Sequence, residues 1–308
     1  MPVLDPAMQV VMERIAARRA GLPNRYALAF PEARSQLLFE REPWLADGPA
    51  CVCADRDTVH AGRHFSMRVV IPERIRGEWL LVYLHGGGWC VGSSVTHDNI
   101  VRHLATLLGC EAWSVDYALA PEAPFPAGLL DCIAAIEQAA QRHPAQRIVV
   151  AGDSAGAHLA LAAALHLRDQ ARPLIDALLL FYGVYTDDCD DVSMRSYADG
   201  RYGLSLQAHQ RYLDACFGPT GGRDRALAFA LHHQVDLQRL PRIWLTAAEL
   251  DILRDQSHAL STKLQAAQVA VEVDEVPGVI HGFLSYGQLL PQAGEALAAA
   301  ARWVHATA

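Results

Sequence analysis

Two short runs carry residue types and spacings suited to covalent chemistry on a carbonyl. Gly152-Asp153-Ser154-Ala155-Gly156 has the G-x-S-x-G form, in which a sharp strand-to-helix turn holds a serine strained and exposed. Upstream, Leu84-His85-Gly86-Gly87-Gly88-Trp89 offers bare backbone whose N–H groups can turn toward a developing oxyanion. One run supplies a nucleophile and the other supplies charge stabilisation. Alone, each has a plainer reading: a helix start packed through small residues, or a flexible, anion-binding turn. Together they are the equipment of acyl transfer.

The flanking residues provide what would position them. Trp79–Leu84 reads as a buried strand running into the glycines, and 147–151 as another running into Ser154. An alanine- and leucine-rich helix, 155–168, follows. Strand, turn and helix are the setting the serine motif demands.

A nucleophilic serine needs a base, and the base needs an orienting carboxylate. In strand–turn–helix hydrolases these follow in the order serine, acid, histidine. Of the histidines beyond Ser154, only His281 stands on a loop at a strand's end, after Pro277-Gly278; His158 and His166 lie on the helix behind the turn. For the acid, Asp251 follows the strand near 242–247, with Glu249 and Asp255 as competitors. His85 and Asp153 read as scaffolding for loop and turn.

The 308 residues can bury one large core, and 52% of them are hydrophobic. A formal net charge of −8 and the lack of a basic stripe argue against nucleic acid. Arg14, Arg18 and Arg19 fall in an amphipathic segment and read as a solvated face. Seven cysteines, without a C-x-x-C pair, suggest reduced, buried thiols rather than disulfides or zinc. No secretory leader or membrane-spanning stretch is visible, so the expected compartment is the cytoplasm, without stable membrane association.

Strand and helix signals alternate along the chain. Residues 1–45 look helical, interrupted by Gly21-Leu22-Pro23 and Pro31. Strands are expected at 51–58, 65–71, 79–84, 111–116, 147–151, 177–183, 242–247 and 270–276. Helices are expected at 97–108, 127–142, 155–168, 256–268 and 293–305. This pattern predicts a mostly parallel sheet flanked by helices. Only 184–240 breaks the rhythm: it holds acidic and glycine-rich pieces, Asp187 to Asp191 and Gly218 to Gly222, around short helical stretches. It is expected to fold over the sheet's C-terminal edge with the N-terminal helices, so that 1–45 and 185–240 cap a single domain.

These residues carry a resemblance. The chain is similar over nearly its whole length to the hormone-sensitive-lipase-like carboxylesterases of the α/β-hydrolase fold. His85-Gly86-Gly87-Gly88-Trp89 resembles that family's oxyanion loop, Asp251-Ile252-Leu253-Arg254-Asp255 its acid motif and His281-Gly282-Phe283 its histidine motif. Asp116-Tyr117 and Leu119-Ala120-Pro121-Glu122 match a further signature. The resemblance implies Asp251 as the acid, oxyanion N–H groups from Gly87, Gly88 and Ala155, and a cap built from the N-terminal helices and the insertion. Ala118, Ile252, Gln256 and Ala157 stand where the family often has arginine, proline, glutamate and glycine. They bear on packing and substrate preference.

The expectation is a serine carboxylesterase with the triad Ser154, Asp251 and His281, acting on short- to medium-chain acyl esters through an acyl-enzyme and using no metal or organic cofactor. Trp89, Tyr202, Leu204 and Phe217 are expected to bind the acyl group. A homodimer stays open. An amidase or arylformamidase would share every catalytic residue, whereas a non-catalytic receptor would be expected to lose one. A lipase acting at lipid interfaces would need a long apolar lid, which is not evident.

Overall fold

Strands that are apolar on both faces need cover on both faces, and the chain is built around them. The computed structural model describes residues 3–218 and 228–306. Eight strands form one sheet in the order β1-β2-β4-β3-β5-β6-β7-β8. They are β1 (Cys51–His60), β2 (Arg63–Pro72), β3 (Trp79–Leu84), β4 (Glu111–Asp116), β5 (Arg147–Asp153), β6 (Ala177–Phe181), β7 (Arg242–Leu250) and β8 (Val271–Ile280). β2 runs antiparallel to β1 and β4, and every other pairing is parallel. β3 and β6 are buried at every residue, whereas the edge strand β1 is largely exposed.

Helices α3 (Asp98–Leu108), α4 (Ala127–Arg142), α5 (Ala155–Asp169), α8 (Arg254–Ala266) and α9 (Pro291–Ala306) flank this α/β-hydrolase sheet. α3 packs on α9 and α4 on α5. α1 (Pro6–Arg19) and α2 (Phe30–Arg41) precede the sheet, and α6 (Val192–Tyr197) and α7 (Leu206–Phe217) lie between β6 and β7. Asp5 caps α1, its Oδ1 accepting Ala7 N–H at 2.7 Å, with Pro6 in the first turn. Among the described residues no helix is long and apolar enough to cross a membrane. The glycine-rich piece Gly218 to Gly222 lies, beyond Gly218, outside the described residues.

Element edges depart from the sequence reading where local chemistry intervenes. Pro31 starts α2 rather than interrupting it, because a first-turn residue needs no N–H. β6 stops at Phe181, since Tyr182 takes φ +38°. β8 continues through Pro277 and Gly278 to Ile280; it is an edge strand, which tolerates proline, and its pairing with β7 shifts register there.

Candidate active site

Ser154 stands between β5 and α5 at φ +54°, ψ −119°, a conformation that L-residues avoid unless their surroundings enforce it. Its N–H donates to Phe181 O at 2.8 Å, tying the turn to β6. Close packing of α5 on β3 requires Gly156: a Cβ there would lie 1.9 Å from Leu84 O. The turn lifts the serine side chain to the end of the sheet, where β7 and β8 also end.

Two other chain segments meet it. His281, immediately after β8, places Nε2 2.9 Å from Ser154 Oγ. Its Nδ1 lies 2.6 Å from Asp251 Oδ2, one residue past β7. A carboxylate only accepts, so Nδ1 carries the proton and Nε2 is left to accept from the serine hydroxyl. Asp251 is buried, and its other oxygen accepts Leu253 N–H at 3.1 Å. The competing acids are engaged elsewhere. Glu249 accepts Gly278 N–H at 2.7 Å, and Asp255 accepts Ser193 N–H at 2.8 Å at the start of α6. Burial opposes the charge of Asp255, and the Ser193 and Arg254 donors outweigh it, lowering its pKa.

The glycine loop is held from below by Asp153. Its Oδ1 accepts Tyr83 Oη–H at 2.7 Å and Gly86 N–H at 2.8 Å, with His97 Nε2 at 3.5 Å. Burial alone would raise this carboxyl; His97 and the two donors prevail and hold it below the usual carboxylate range. His85 Nδ1–H donates to Gly86 O at 2.8 Å, and burial next to His97 lowers its pKa to about 4. Gly87 O accepts Cys90 N–H at 3.1 Å and Val91 N–H at 3.0 Å, closing the turn. Among the described residues the N–H groups of Gly87, Gly88 and Ala155 have no acceptor. Gly88, at φ +57°, also lies under Tyr212 of α7: a Cβ would meet that ring at 2.3 Å.

Arg34 of α2 clasps this loop from above. Its Nε–H donates to Cys90 O at 2.8 Å, one Nη to Ala120 O at 2.9 Å, and both Nη atoms to the Glu122 carboxylate. Arg211 of α7 donates to the carbonyls of Tyr26 and Leu28, joining α7 to the turn between α1 and α2.

Beneath these helices lies a cavity of about 390 Å³ whose wall includes Ser154, His281, Gly87 and Gly88. Of the residues expected to bind the acyl group, Trp89 and Leu204 line it. Tyr202 and Phe217 do not. Tyr202 packs edge-on against Tyr197, and Phe217 is drawn into an aromatic cluster with Trp89, Phe125, His158 and Phe229. In that cluster Trp89 Nε1–H donates to His158 Nδ1 at 3.2 Å, so Nε2 bears the imidazole proton and donates to Ala228 O at 3.1 Å. Arg18 and Arg19 are not simply a solvated face: both line the cavity, beside Arg25, Glu40 and Arg41. Sequence reasoning missed these last three. Only the arginine-rich composition of the N-terminal helices pointed toward them.

Residues 81–285 match the profile of a family described as having the alpha/beta hydrolase fold. The chain belongs to that family, in its hormone-sensitive-lipase-like branch. The hydrolase is 33% identical over 312 residues to an acetyl esterase of Salmonella schwarzengrund (strain CVM19633), covering 98% of this chain and 95% of that one. Among solved structures it resembles an ester hydrolase from the metagenome of Lake Arreo, complexed with a bipyridine phosphonate derivative. That match has TM-score 0.91 and 30% identity over 99% of each chain. It also resembles a hyperthermophilic esterase from Pyrobaculum calidifontis, with TM-score 0.89 and 29% identity over 100% of this chain and 99% of that chain.

Proposed function

We infer that this carboxylic ester hydrolase works through an acyl-enzyme on Ser154 and acts on short- to medium-chain acyl esters. The observation that carries the reading is the unbroken hydrogen-bond path from Asp251 through His281 to Ser154 Oγ. Ser154 Oγ attacks the ester carbonyl while His281 Nε2 takes its proton, and Asp251 stabilises the imidazolium. The N–H groups of Gly87, Gly88 and Ala155 receive the oxyanion. His281 then protonates the leaving alcohol, and water repeats the cycle on the acyl-enzyme. The chemistry calls on no metal or organic cofactor.

α1, α2, α6 and α7 serve as a cap over the site, limiting how much acyl chain it admits. The names of the acetyl-esterase relatives support the short-chain end of that range. The test is Ser154→Ala, expected to lower kcat roughly 10⁶-fold with an unchanged circular dichroism spectrum. A fluorophosphonate probe should label the parent protein at Ser154 alone. Labelling elsewhere, or more than a few per cent residual activity in a pure variant, would sink the assignment.

A further inference from the structure

The cavity wall built by α1, α2 and the turn between them is cationic, although the chain carries a net charge of −8. Arg18, Arg19, Arg25 and Arg41 line it, with Glu40 the carboxylate among them. Glu40 is fully committed: Oε2 lies 2.7 Å from Arg19 Nη2 and 3.5 Å from Arg25 Nη1, and Oε1 accepts from Gln36 at 2.9 Å. Two guanidinium groups thus share one negative charge. Arg41 faces the ring of Tyr286 and approaches Gly282, next to His281, with no ion-pair partner among the described residues.

Arg25 is the decisive residue. It is only 9% exposed, yet its Nε has no hydrogen-bond acceptor and its Nη1 has only the 3.5 Å ion pair with Glu40, while Nη1 of Arg41 is buried without any acceptor. Leaving such a donor unsatisfied costs about 1–3 kcal/mol, more when it is charged, so buried orphans of this kind point to a ligand that completes them. Burial opposes the charge on Arg25, but Tyr26, Tyr212 and Glu40 outweigh it and raise its pKa. The planar fork of a guanidinium matches a carboxylate two bonds at a time.

Resting on the esterase reading, we propose that the preferred substrates carry a free anionic group, a carboxylate, remote from the scissile ester, and that Arg25 and Arg41 supply its recognition. The reaction is unchanged: the ester C–O bond breaks, water adds OH to the acyl carbon, and the leaving alcohol takes the proton. What the arginines change is which ester binds.

The experiment compares p-nitrophenyl valerate with mono-p-nitrophenyl glutarate, matched in length and differing in the terminal carboxylate. The parent enzyme is expected to favour the glutarate ester at least tenfold in kcat/KM, with the preference shrinking at high salt. Arg25→Gln should cut that ratio tenfold or more, chiefly through KM, and Arg25→Lys should restore part of it. Arg41→Gln, which breaks no ion pair, should cut it independently. In parallel, glutarate should raise the melting temperature of the parent protein and not of Arg25→Gln, a readout that does not depend on turnover. A neutral-ester preference unaltered in both variants, with valerate still hydrolysed through Ser154, would overturn the anion site and leave the esterase standing. Loss of hydrolysis of both esters by the folded parent would instead strike the esterase reading, and glutarate binding would still decide the site. Stronger stabilisation by inorganic phosphate than by glutarate would overturn the choice of carboxylate.

Discussion

Glu249 Oε2 accepts the N–H of Gly278 at 2.7 Å, across the point where β7 and β8 change register. That side chain is therefore spent on holding the irregular end of the edge strand, from which His281 emerges three residues later. Asp251, two residues beyond Glu249, meets the imidazole itself.

The two acids should consequently separate by kind of defect. Asp251→Asn should lower kcat on the order of 10⁴-fold by favouring the wrong imidazole tautomer, without loss of fold. Glu249→Gln and Asp255→Asn should cost far less in kcat and appear mainly as lowered thermal stability. Steady-state kinetics with matched melting curves distinguish them; a crippling Glu249→Gln would move the acid by two residues.

Gly88→Ala should damage catalysis through crowding. Its Cβ would press on the Tyr212 ring, shifting either the glycine loop or α7. Displacing one oxyanion donor costs roughly 10²–10³-fold in kcat. Adding Tyr212→Ala should return part of that loss. A double variant no better than the single would show that backbone strain at Gly88, and not the ring, is responsible.

Acyl-chain preference should rise and then fall. Each added methylene gains about 0.8 kcal/mol of burial while it fits, and forcing more into packed protein costs about 1–3 kcal/mol. The roughly 390 Å³ cavity is walled by Leu204, Trp89 and Tyr212, so kcat/KM should peak at short to medium chains. A profile still climbing from acetyl to palmitoyl, with activation at a lipid–water interface, would contradict a closed cap.

Acid should loosen the aromatic cluster behind Trp89. Burial lowers the pKa of His158 to about 4 from an ordinary 6.5, so the unfolded chain binds its proton first. The stability this neutral imidazole contributes is complete above pH 6.5 and is lost as pH falls through 4, about 3 kcal/mol at most. His85 acts in the same direction. Urea midpoints measured from pH 4 to 7.5 should fall less steeply for His158→Gln than for the parent. Parallel curves would remove His158 from the account.

The sequence was most legible where one physical requirement dominated. β3 is apolar at every position, so its limits could be read to the residue. The order of Ser154, Asp251 and His281, each at a strand end, identified side chains that the structure brings within hydrogen-bonding reach. It was least legible where a pattern serves two masters. The polar face of α1 reads the same whether it meets bulk water or an aqueous cavity, which is why the sequence alone places Arg18 and Arg19 in solvent. Phe217 could equally well have turned toward substrate; the company of Phe125, Phe229 and His158, distant in sequence, draws it to the other side of Trp89. Pro277 reads as a strand terminator because nothing local announces that β8 lies at an edge.

Arg34 couples α2 to the glycine loop. The helix whose Leu37, Glu40 and Arg41 line the cavity also grips Cys90 O, two residues beyond Gly88. Any displacement of α2 is therefore transmitted to the loop backbone through that one guanidinium.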